Sequence, residues 1–243
     1  MTAPTLQLSG LGFAYEPRQP VLHGIDLQLT PGEFAALIGP NGSGKSTLLQ
    51  CLAGVLAPTA GRVVIDGIDL ASQPQSAKSR LGYAIDPGRL PPLLTGREAL
   101  KLFAGARGFA EPPHASLALA DTLKLAPMLD RRIGQYSLGT RQKLGIVLGL
   151  LGEPPLLVLD EPLNGLDPPS AWALKHHLQA LARDRGATVL LATHSLEVAE
   201  RFINRALLLA DGRLHCGWGG DELDEIRRHP DRSLEQAMVQ ALA

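Results

Sequence analysis

The chain has 243 residues and 45% apolar content, which is enough for one large domain or two small ones with a substantial hydrophobic core. Lys and Arg number 23 against 24 Asp and Glu, and the net charge of −1 argues against a broad nucleic-acid surface, which would need a basic face. The two cysteines, Cys51 and Cys216, show no paired spacing, which argues against a disulfide framework or a zinc site and is typical of a reducing cytoplasm.

The first part of the chain predicts two half-buried strands. Residues 6–13 and residues 25–29 alternate apolar and polar side chains, as strands with one buried face do. Tyr15 lies between them in a predicted loop that also carries Pro17 and Pro20. Its ring could stack on a purine, and it could equally be an ordinary surface tyrosine.

The next stretch matches the phosphate-binding pattern G-x-x-x-x-G-K-[ST], between a predicted buried strand over 34–38 and a predicted helix from Thr47 with Gly54 at its C-cap. Glycines let backbone N–H groups turn onto phosphate oxygens, and the helix N-terminus adds positive partial charge. Lys45 is expected to reach the β- and γ-phosphates, and the Ser46 hydroxyl to ligate Mg²⁺. The predicted nucleotide-binding residues are Gly39, Pro40, Asn41, Gly42, Ser43, Gly44, Lys45, Ser46 and Thr47.

The middle of the chain predicts two strands and then a helical stretch. Residues 62–65 read as a strand followed by a turn at Asp66 and Gly67, and residues 81–85 as a buried strand that ends at Asp86. Residues 87–152 have helical spacing and no strand signal, which predicts a helical insert on an α/β core.

Within that stretch, two helix starts can be recognised from capping residues. Thr95 and Glu98 form a capping box for a helix over 97–107, which a second helix over 116–125 follows. Ser137 is placed to cap a helix over 141–151. That N-terminus could meet an anion, although from these residues alone a capped buried helix is the better interpretation, because serine caps are common.

A run of large aliphatic residues over 156–159, followed by Asp160 and Glu161, predicts a central parallel strand buried on both faces. Ligands of open α/β sheets bind at the carboxyl ends of the strands, where these two acids stand. Asp160 is expected to hold Mg²⁺ or its water, and Glu161 to polarise the attacking water. The alternative is a strand that ends in a solvated acidic turn.

The last third predicts one more helix, one more strand of the same sheet and a hairpin. Asp167 as N-cap opens a helix that Gly186 ends, residues 188–193 form a strand, and His194 follows at the edge that carries Asp160. His194 is therefore expected to point at the γ-phosphate, although a lone histidine is often structural or solvated. Residues 205–210 and 213–216 predict a closing hairpin, and residues 221–243 one or two helices.

In this order the motifs resemble the ATP-binding subunit of an ABC transporter, over about residues 6–211. The resemblance implies an α/β fold: a P-loop NTPase core with a mostly parallel central sheet, an N-terminal antiparallel β subdomain and an inserted helical subdomain. It implies one domain, with 1–86 and 153–220 as core and β subdomain, 87–152 as helical insert and 221–243 as helical tail.

The resemblance also implies roles for residues whose local signals are weak. It implies hydrolysis of ATP with Mg²⁺, with Tyr15 stacked on adenine and Ser137 and Gly139 in the signature motif. Asp167 stands in the D-loop match, residues 164–167, and counts among the nucleotide-binding residues. The catalytic residues implied are Glu161, His194 and Lys45.

Two departures from the family pattern stand out. Residues 136–140 read Tyr-Ser-Leu-Gly-Thr in place of Leu-Ser-Gly-Gly-Gln, a variant similar to the branch of separate ATPase subunits that drive exporter permeases for drugs, lipids or polysaccharides. Asp86 stands where the family has the Q-loop glutamine, and it is one methylene shorter and charged. The predicted Mg²⁺ ligands are therefore Ser46, Asp160 and Asp86.

The resemblance implies partners and a location as well. Two ATP molecules are expected between two head-to-tail copies of the chain, which attach to integral-membrane permease subunits on the inner face of the cell membrane and bind no nucleic acid. No apolar run approaches the roughly 20 residues that span a bilayer, so any membrane role is expected to come through the permease. The alternatives are a soluble ABC-type ATPase with a non-transport mechanical role and a small-molecule P-loop kinase.

Overall fold

The computed structural model describes residues 3–84, 86–194, 201–229 and 232–242. Within these ranges the chain forms ten β-strands in two sheets. In chain order the strands are β1 (Leu6–Glu16), β2 (Gln19–Leu29), β3 (Phe34–Ile38), β4 (Ala60–Ile65), β5 (Ile68–Asp69), β6 (Leu81–Tyr83), β7 (Leu156–Asp160), β8 (Thr188–Ala192), β9 (Arg205–Ala210) and β10 (Arg213–Trp218).

Eight α-helices have both ends within the described residues. They are α1 (Lys45–Leu52), α2 (Pro74–Ser79), α3 (Gly96–Ala106), α4 (His114–Thr122), α5 (Leu138–Gly149), α6 (Pro168–Arg185), α7 (Gly220–Arg228) and α8 (Leu234–Leu242). None of the helices in the described residues is long and apolar enough to cross a membrane.

The smaller sheet is antiparallel and has the strand order β2-β1-β4-β5. Strands β4 and β5 join through a two-residue turn, in which Asp66 and Gly67 have φ angles of 50° and 78°. Two consecutive positive φ angles match the hairpin turns that suit strand twist, so the turn predicted from Asp66 and Gly67 is confirmed.

The larger sheet has the order β10-β9-β3-β8-β7-β6, and all its pairings are parallel except the antiparallel pairing of β10 with β9. The predicted fold class is confirmed. The aliphatic strand β7 is buried as predicted, but it is not central, because it lies one strand from the β6 edge and β3 and β8 occupy the middle.

Strand β3 shows how this sheet separates two hydrophobic cores. Its five residues are all buried, and consecutive side chains of a strand point to opposite faces. Phe34, Ala36 and Ile38 pack into the core that contains the buried residues of α5 and α6. Ala35 and Leu37 pack into the core under α1 and the antiparallel sheet. The carboxyl ends of β3, β8 and β7 therefore form a rigid edge with apolar support on both sides.

The loop predicted around Tyr15 is wrong. Strand β1 runs to Glu16 and β2 begins at Gln19, so Tyr15 lies in a strand and the hairpin turn is only two residues long. Pro20 is accommodated because β2 is an edge strand, where a missing N–H removes no ladder hydrogen bond.

The other predicted elements are present with shifted ends. Helix α1 begins at Lys45 and has Ala53 at its C-cap, with Gly54 one residue beyond at a φ of 62°. Ile85, the end of the predicted strand over 81–85, lies outside the described residues. The six-residue α2 was not predicted. Residues 221–243 give α7 and α8, while residues 230, 231 and 243 lie outside the described ranges.

The segment between β6 and β7 is helical, as predicted. It contains α3, α4, α5 and three short 3₁₀ turns, and its described residues form no strand. The capping box of Thr95 and Glu98 is present at the start of α3, and the Ser137 side chain accepts from the Thr140 amide at the start of α5. The capping residues therefore predicted the starts of α3 and α5 to within three residues, and α5 begins three residues before its predicted start.

We expect Gly149→Ala to lower the free energy of unfolding by about 1–3 kcal/mol, the usual effect of overfilling a packed interior. Gly149 is buried at the end of α5, and a Cβ there would lie 2.7 Å from the backbone of Ala84 and from the Tyr83 carbonyl oxygen. Urea unfolding of the purified chain measures the difference. The matched control is Gly105→Ala in α3, where a Cβ meets nothing within 4 Å. Equal effects of the two substitutions would contradict this account of the packing.

Candidate functional site

The loop over residues 39–47 joins the end of β3 to α1 with backbone that passes very close to neighbouring elements. Gly44 has a φ of 101°, and a Cβ there would lie 2.9 Å from the Leu22 side chain. A Cβ on Gly39 would overlap the Leu209 carbonyl oxygen. The first N–H groups of α1 have no partner within the helix, and they lie at its positive end. The loop thus has the geometry of an anion cradle.

Lys45 is almost buried, and its ammonium is held by this same loop. Its exposure is 8%, and Nζ donates to the carbonyl oxygens of Gly39 at 2.8 Å and Pro40 at 2.9 Å. Burial lowers the pKa of Lys45, whereas the carboxylates of Glu161 and Asp160 oppose that shift. The ammonium is therefore positioned at the loop before any phosphate binds, close to both acids.

Asp160 ends β7 and lies beside Ser46 of α1. Burial raises the pKa of Asp160 and Glu161 adds to this shift, while a hydrogen bond from Ser46 and the Lys45 ammonium oppose it. The predicted pairing of a hydroxyl and a carboxylate at one edge of the sheet is therefore present in the geometry.

Glu161 turns sharply away from β7 and meets His194. Its φ is 44°, in the left-handed region that side chains rarely adopt, and its N–H donates to the Ala192 carbonyl oxygen at 3.0 Å. Its Oε1 lies 2.9 Å from Nδ1 of His194, which follows β8. Backbone in such a region often marks a functional position, because surrounding contacts must hold it.

Tyr15 lies near the loop although it belongs to a strand. Its hydroxyl is 3.3 Å from Thr47 Oγ1, and its ring packs edge-on against Phe13 at a centroid distance of 4.8 Å. The ring is 62% exposed. A flat aromatic surface is therefore available beside the phosphate loop, where a base could stack.

Asp86 lies beyond β6, and its carboxylate already has a structural contact. Its Oδ1 accepts from the Gly88 amide at 2.8 Å and so caps a 3₁₀ turn over Pro87–Arg89. The side chain is 61% exposed. It faces the same cavity as Ser46 and Asp160, so it is near the predicted metal position but is also engaged in its own loop.

Ser137, Gly139 and Asp167 lie at the N-termini of α5 and α6 and make their described contacts there. The Ser137 hydroxyl bonds to Thr140, and Asp167 accepts from the Ser170 amide at 3.0 Å. The structure thus confirms that Ser137 and Asp167 cap their helices.

Two adjoining cavities surround these groups. One of about 250 Å³ is lined by the loop, Asp160 and Glu161, and the other, of about 360 Å³, extends past Ser46 toward α5. A larger cleft of about 740 Å³ lies between β1, β2 and the β9–β10 hairpin, at the opposite ends of the strands. The two smaller cavities are lined by the charged residues described above, so we take them as the candidate functional site. Gln50, Tyr83 and Gln142 also line the second cavity, although no sequence motif singles them out.

The side chains at this edge of the sheet could supply only some of the ligands that Mg²⁺ needs. No three His, Cys, Asp or Glu side chains are grouped to hold a metal in the part of the chain that the structure describes. Mg²⁺ commonly keeps several waters and takes one or two carboxylates together with substrate phosphates. One hydroxyl and one carboxylate, from Ser46 and Asp160, are compatible with that pattern.

The sequence matches two family models. One described as ABC transporter matches residues 22–164, which is more than half of the chain. A second, described as an AAA domain, putative AbiEii toxin, Type IV TA system, matches residues 129–200.

Several curated proteins are similar to this chain. The uncharacterized ABC transporter ATP-binding protein YdbJ of Bacillus subtilis is 34% identical over 246 residues, covering 99% of the chain and 75% of that protein. Nod factor export ATP-binding protein I of Burkholderia pseudomallei is 38% identical over 197 residues, covering 79% of the chain. The rat ATP-binding cassette sub-family A member 7 is 36% identical over 201 residues, covering 82% of the chain. The chain spans 64% of the length of the Nod factor protein and 9% of the rat protein.

Two solved structures resemble the fold closely. The structure of an ATP binding subunit of an ABC transporter superposes with a TM-score of 0.87 at 32% identity, covering 98% of this chain and 100% of that one. The dimeric post-hydrolysis structure of the ATP-binding cassette MJ0796, bound to ADP and Pi, gives 0.77 at 27% identity, covering 88% and 98%.

We expect Asp160→Asn to stabilise the nucleotide-free chain at about pH 7.5. The folded-state pKa of Asp160 lies above its ordinary value of 3.8, so ionisation of this group opposes folding above the raised pKa. Below the ordinary value both states bind the proton, and the effect disappears. Urea unfolding without Mg²⁺ or nucleotide should therefore show a gain that shrinks as the pH falls toward about 4.

The matched control for this effect is Asp184→Asn. Asp184 is exposed, and its hydrogen bond with Arg183 holds its pKa below the usual range. Its substitution should give no gain at about pH 7.5, because the folded state favours the charged form. A pH-independent gain for Asp160→Asn would contradict the assignment.

Proposed function

The chain belongs to the ABC transporter family, and we propose that it powers export across a membrane through a separate permease. It is an ATPase, since ATP-binding cassettes of this family characteristically hydrolyse ATP. The observation that carries ATP binding and hydrolysis in this proposal is the grouping of a buried cation, a hydroxyl and two acids around one phosphate-binding loop. These groups are Lys45, Ser46, Asp160 and Glu161.

In the proposed mechanism the loop over 39–47 wraps the phosphates, and the Lys45 ammonium exchanges its two carbonyl partners for β- and γ-phosphate oxygens. Ser46 and Asp160 would hold Mg²⁺, which would supply positive charge to neutralise charge that develops on the phosphates. Asp86 is the third proposed ligand, either directly or through water.

Glu161 then accepts a proton from the attacking water, which lies in line with the γ-phosphate. With Nδ1 protonated, His194 donates to Glu161 and holds its carboxylate in place, and the distance of 2.9 Å supports this role. Tyr15 stacks on the adenine ring beside Thr47. Positioning and charge stabilisation supply most of the catalysis of phosphoryl transfer, and these groups of one chain supply part of both.

We further propose that the working unit is a head-to-tail dimer with two ATP molecules at the interface. Cassettes of this family have been solved as dimers. Ser137 and Gly139 begin α5, and its N-terminus would contact the γ-phosphate held by the partner copy, with Asp167 nearby in the turn that follows Glu161. Closure on ATP and opening after hydrolysis would move the attached permease.

Export through a separate permease is supported by the Tyr-Ser-Leu-Gly-Thr signature and by similarity to a protein named for Nod factor export. The proposed location is the cytoplasmic face of the membrane. The proposed subdivision keeps 87–152 as the helical insert, 221–243 as a helical tail, and 1–86 with 153–220 as the core.

The transport assignment predicts that the tagged chain, extracted from detergent-solubilised membranes of its own source, carries a membrane protein with several spanning helices. Reconstituted in vesicles, that pair should hydrolyse ATP faster than the chain alone, and Glu161→Gln should abolish turnover. Copurification with ribosomes or DNA and without a membrane protein would favour a mechanical role in the cytoplasm instead.

The dimer model predicts that Glu161→Gln traps a dimer at saturating ATP, because the nucleotide binds but its γ-phosphate persists. Light scattering on the purified variant should give twice the monomer mass with ATP and the monomer mass without it. The double variant Glu161→Gln with Lys45→Met is the control, since it lacks the phosphate-binding ammonium. A monomeric Glu161→Gln variant at saturating ATP would refute the shared sites.

A further inference from the structure

Helix α5 contacts the turn that follows Glu161 along one helical face. Gly139 passes so close to this turn that a Cβ would lie 2.5 Å from the Gly165 carbonyl oxygen. One turn later the buried Gln142 side chain donates to the Pro162 carbonyl oxygen at 3.4 Å. Residues three and four apart share a helical face, so these contacts are part of one packed surface.

The third contact on that face is an ion pair between elements distant in sequence. Lys143 Nζ donates to Asp167 Oδ2 at 2.6 Å, and the lysine side chain is only 12% exposed. The same carboxylate accepts from the amide and hydroxyl of Ser170, at 3.0 and 2.9 Å, and so caps α6. One carboxylate thus joins the start of α6 to the first turns of α5.

The lysine end of this pair is largely enclosed, whereas the Asp167 side chain is 44% exposed. A charge largely removed from water needs its partner, because an unpaired ammonium would be strongly disfavoured there. The hydrogen bond from Lys143 and those from Ser170 hold the pKa of Asp167 well below its usual range. The Asp167 carboxylate is therefore held in its charged form by the same contacts that join the two helices.

The two ends of this contact belong to different parts of the proposed mechanism. The turn over 162–167 directly follows Glu161, which in the proposed mechanism acts on the ATP held by its own chain. Helix α5 is capped by Ser137. In the proposed dimer the N-terminus of this helix faces the ATP held by the second copy. Displacement of either end has to pass through the packed residues between them.

We propose that Lys143 is a positioning residue which, through Asp167, makes the N-terminus of α5 and the turn after Glu161 move as one unit. The inference rests on the proposed head-to-tail dimer. In that dimer each chain links the ATP that it hydrolyses to the ATP that it contacts on its partner. The two sites therefore respond to ATP cooperatively, and loss of the Lys143 contact uncouples them.

The test compares ATP hydrolysis by the full chain and by Lys143→Met, which keeps an apolar side chain and removes the donor. Protein is kept at concentrations where the specific activity no longer depends on concentration. We expect a Hill coefficient above about 1.5 for the natural chain and about 1 for the variant, with a roughly tenfold lower kcat. Binding of a fluorescent ATP analogue to the dilute monomer should change less than about twofold.

Two further variants separate coupling from general stability. Lys101→Met, in α3 of the same helical segment, removes an exposed ion pair with Glu111 and should retain the natural Hill coefficient, because exposed pairs contribute little. Lys143→Arg keeps the charge and should restore at least half of the cooperativity.

Asp167→Asn provides an independent route if Lys143→Met does not fold, since asparagine caps helices as well as aspartate does. It should lower the Hill coefficient to the same degree, and the double variant should be no worse than either single variant, as expected of residues that act as a pair. Additive losses would overturn the proposal.

Four other outcomes would also overturn it. Lys143→Met could keep the natural Hill coefficient, or it could lose monomer nucleotide binding in step with its melting temperature, which would make the lysine merely structural. A natural chain that dimerises and hydrolyses ATP with a Hill coefficient of 1 would refute the coupling and leave the proposed function intact. A natural chain that never dimerises would refute the proposed dimer and the coupling together.

Discussion

The bonds of the Lys45 ammonium to two carbonyl oxygens of its own loop are the contact on which the site depends. A cation with 8% exposure at the edge of an apolar sheet is unfavourable unless dipoles and negative charges surround it. The carbonyls of Gly39 and Pro40 supply the dipoles, and Asp160 and Glu161 supply the charge. The Lys45 ammonium is therefore already held at the loop by the protein itself, and in the proposed mechanism phosphate oxygens take the place of its two carbonyl partners.

The two acids, Asp160 and Glu161, are also in an unfavourable environment, because two carboxylates lie together at the end of a buried strand. The raised pKa of Asp160 shows that its ionised form is disfavoured in the nucleotide-free chain, and the left-handed backbone of Glu161 adds strain at the next residue. Strand β8 lies beside β7 and β3 lies next to β8, and all residues of these two strands are buried, which supports the edge that carries the acids. The fold thus sustains a buried carboxylate at Asp160 and left-handed backbone at Glu161 side by side at one edge of the sheet.

Features of the fold and the site could be predicted from the sequence where the residues that determine them lie close together along the chain. The phosphate loop, the acids after β7 and the caps Ser137 and Asp167 are encoded within a few residues, and the structure places them where the sequence predicts. The strand position of Tyr15 was not predictable, because tolerance of Pro20 depends on β2 being an edge strand. The contact between Lys143 and Asp167 joins residues 24 apart on separate helices, and no local pattern reveals it.

Asp86 shows why a departure from a family pattern should be interpreted through its local structure. The sequence from Asp86 reads Asp-Pro-Gly, and the carboxylate caps the 3₁₀ turn that these residues form. A short acidic side chain reaches the amide two residues ahead, whereas glutamine is longer by one methylene and is a poorer partner for that geometry. The substitution therefore changes the structure of the loop as well as the charge beside Asp160. A metal-directed role for Asp86 would have to coexist with the hydrogen bond from Gly88 and with Arg89, whose Nε lies 3.9 Å from Oδ2, which ties the shape of this loop to the chemistry of the site.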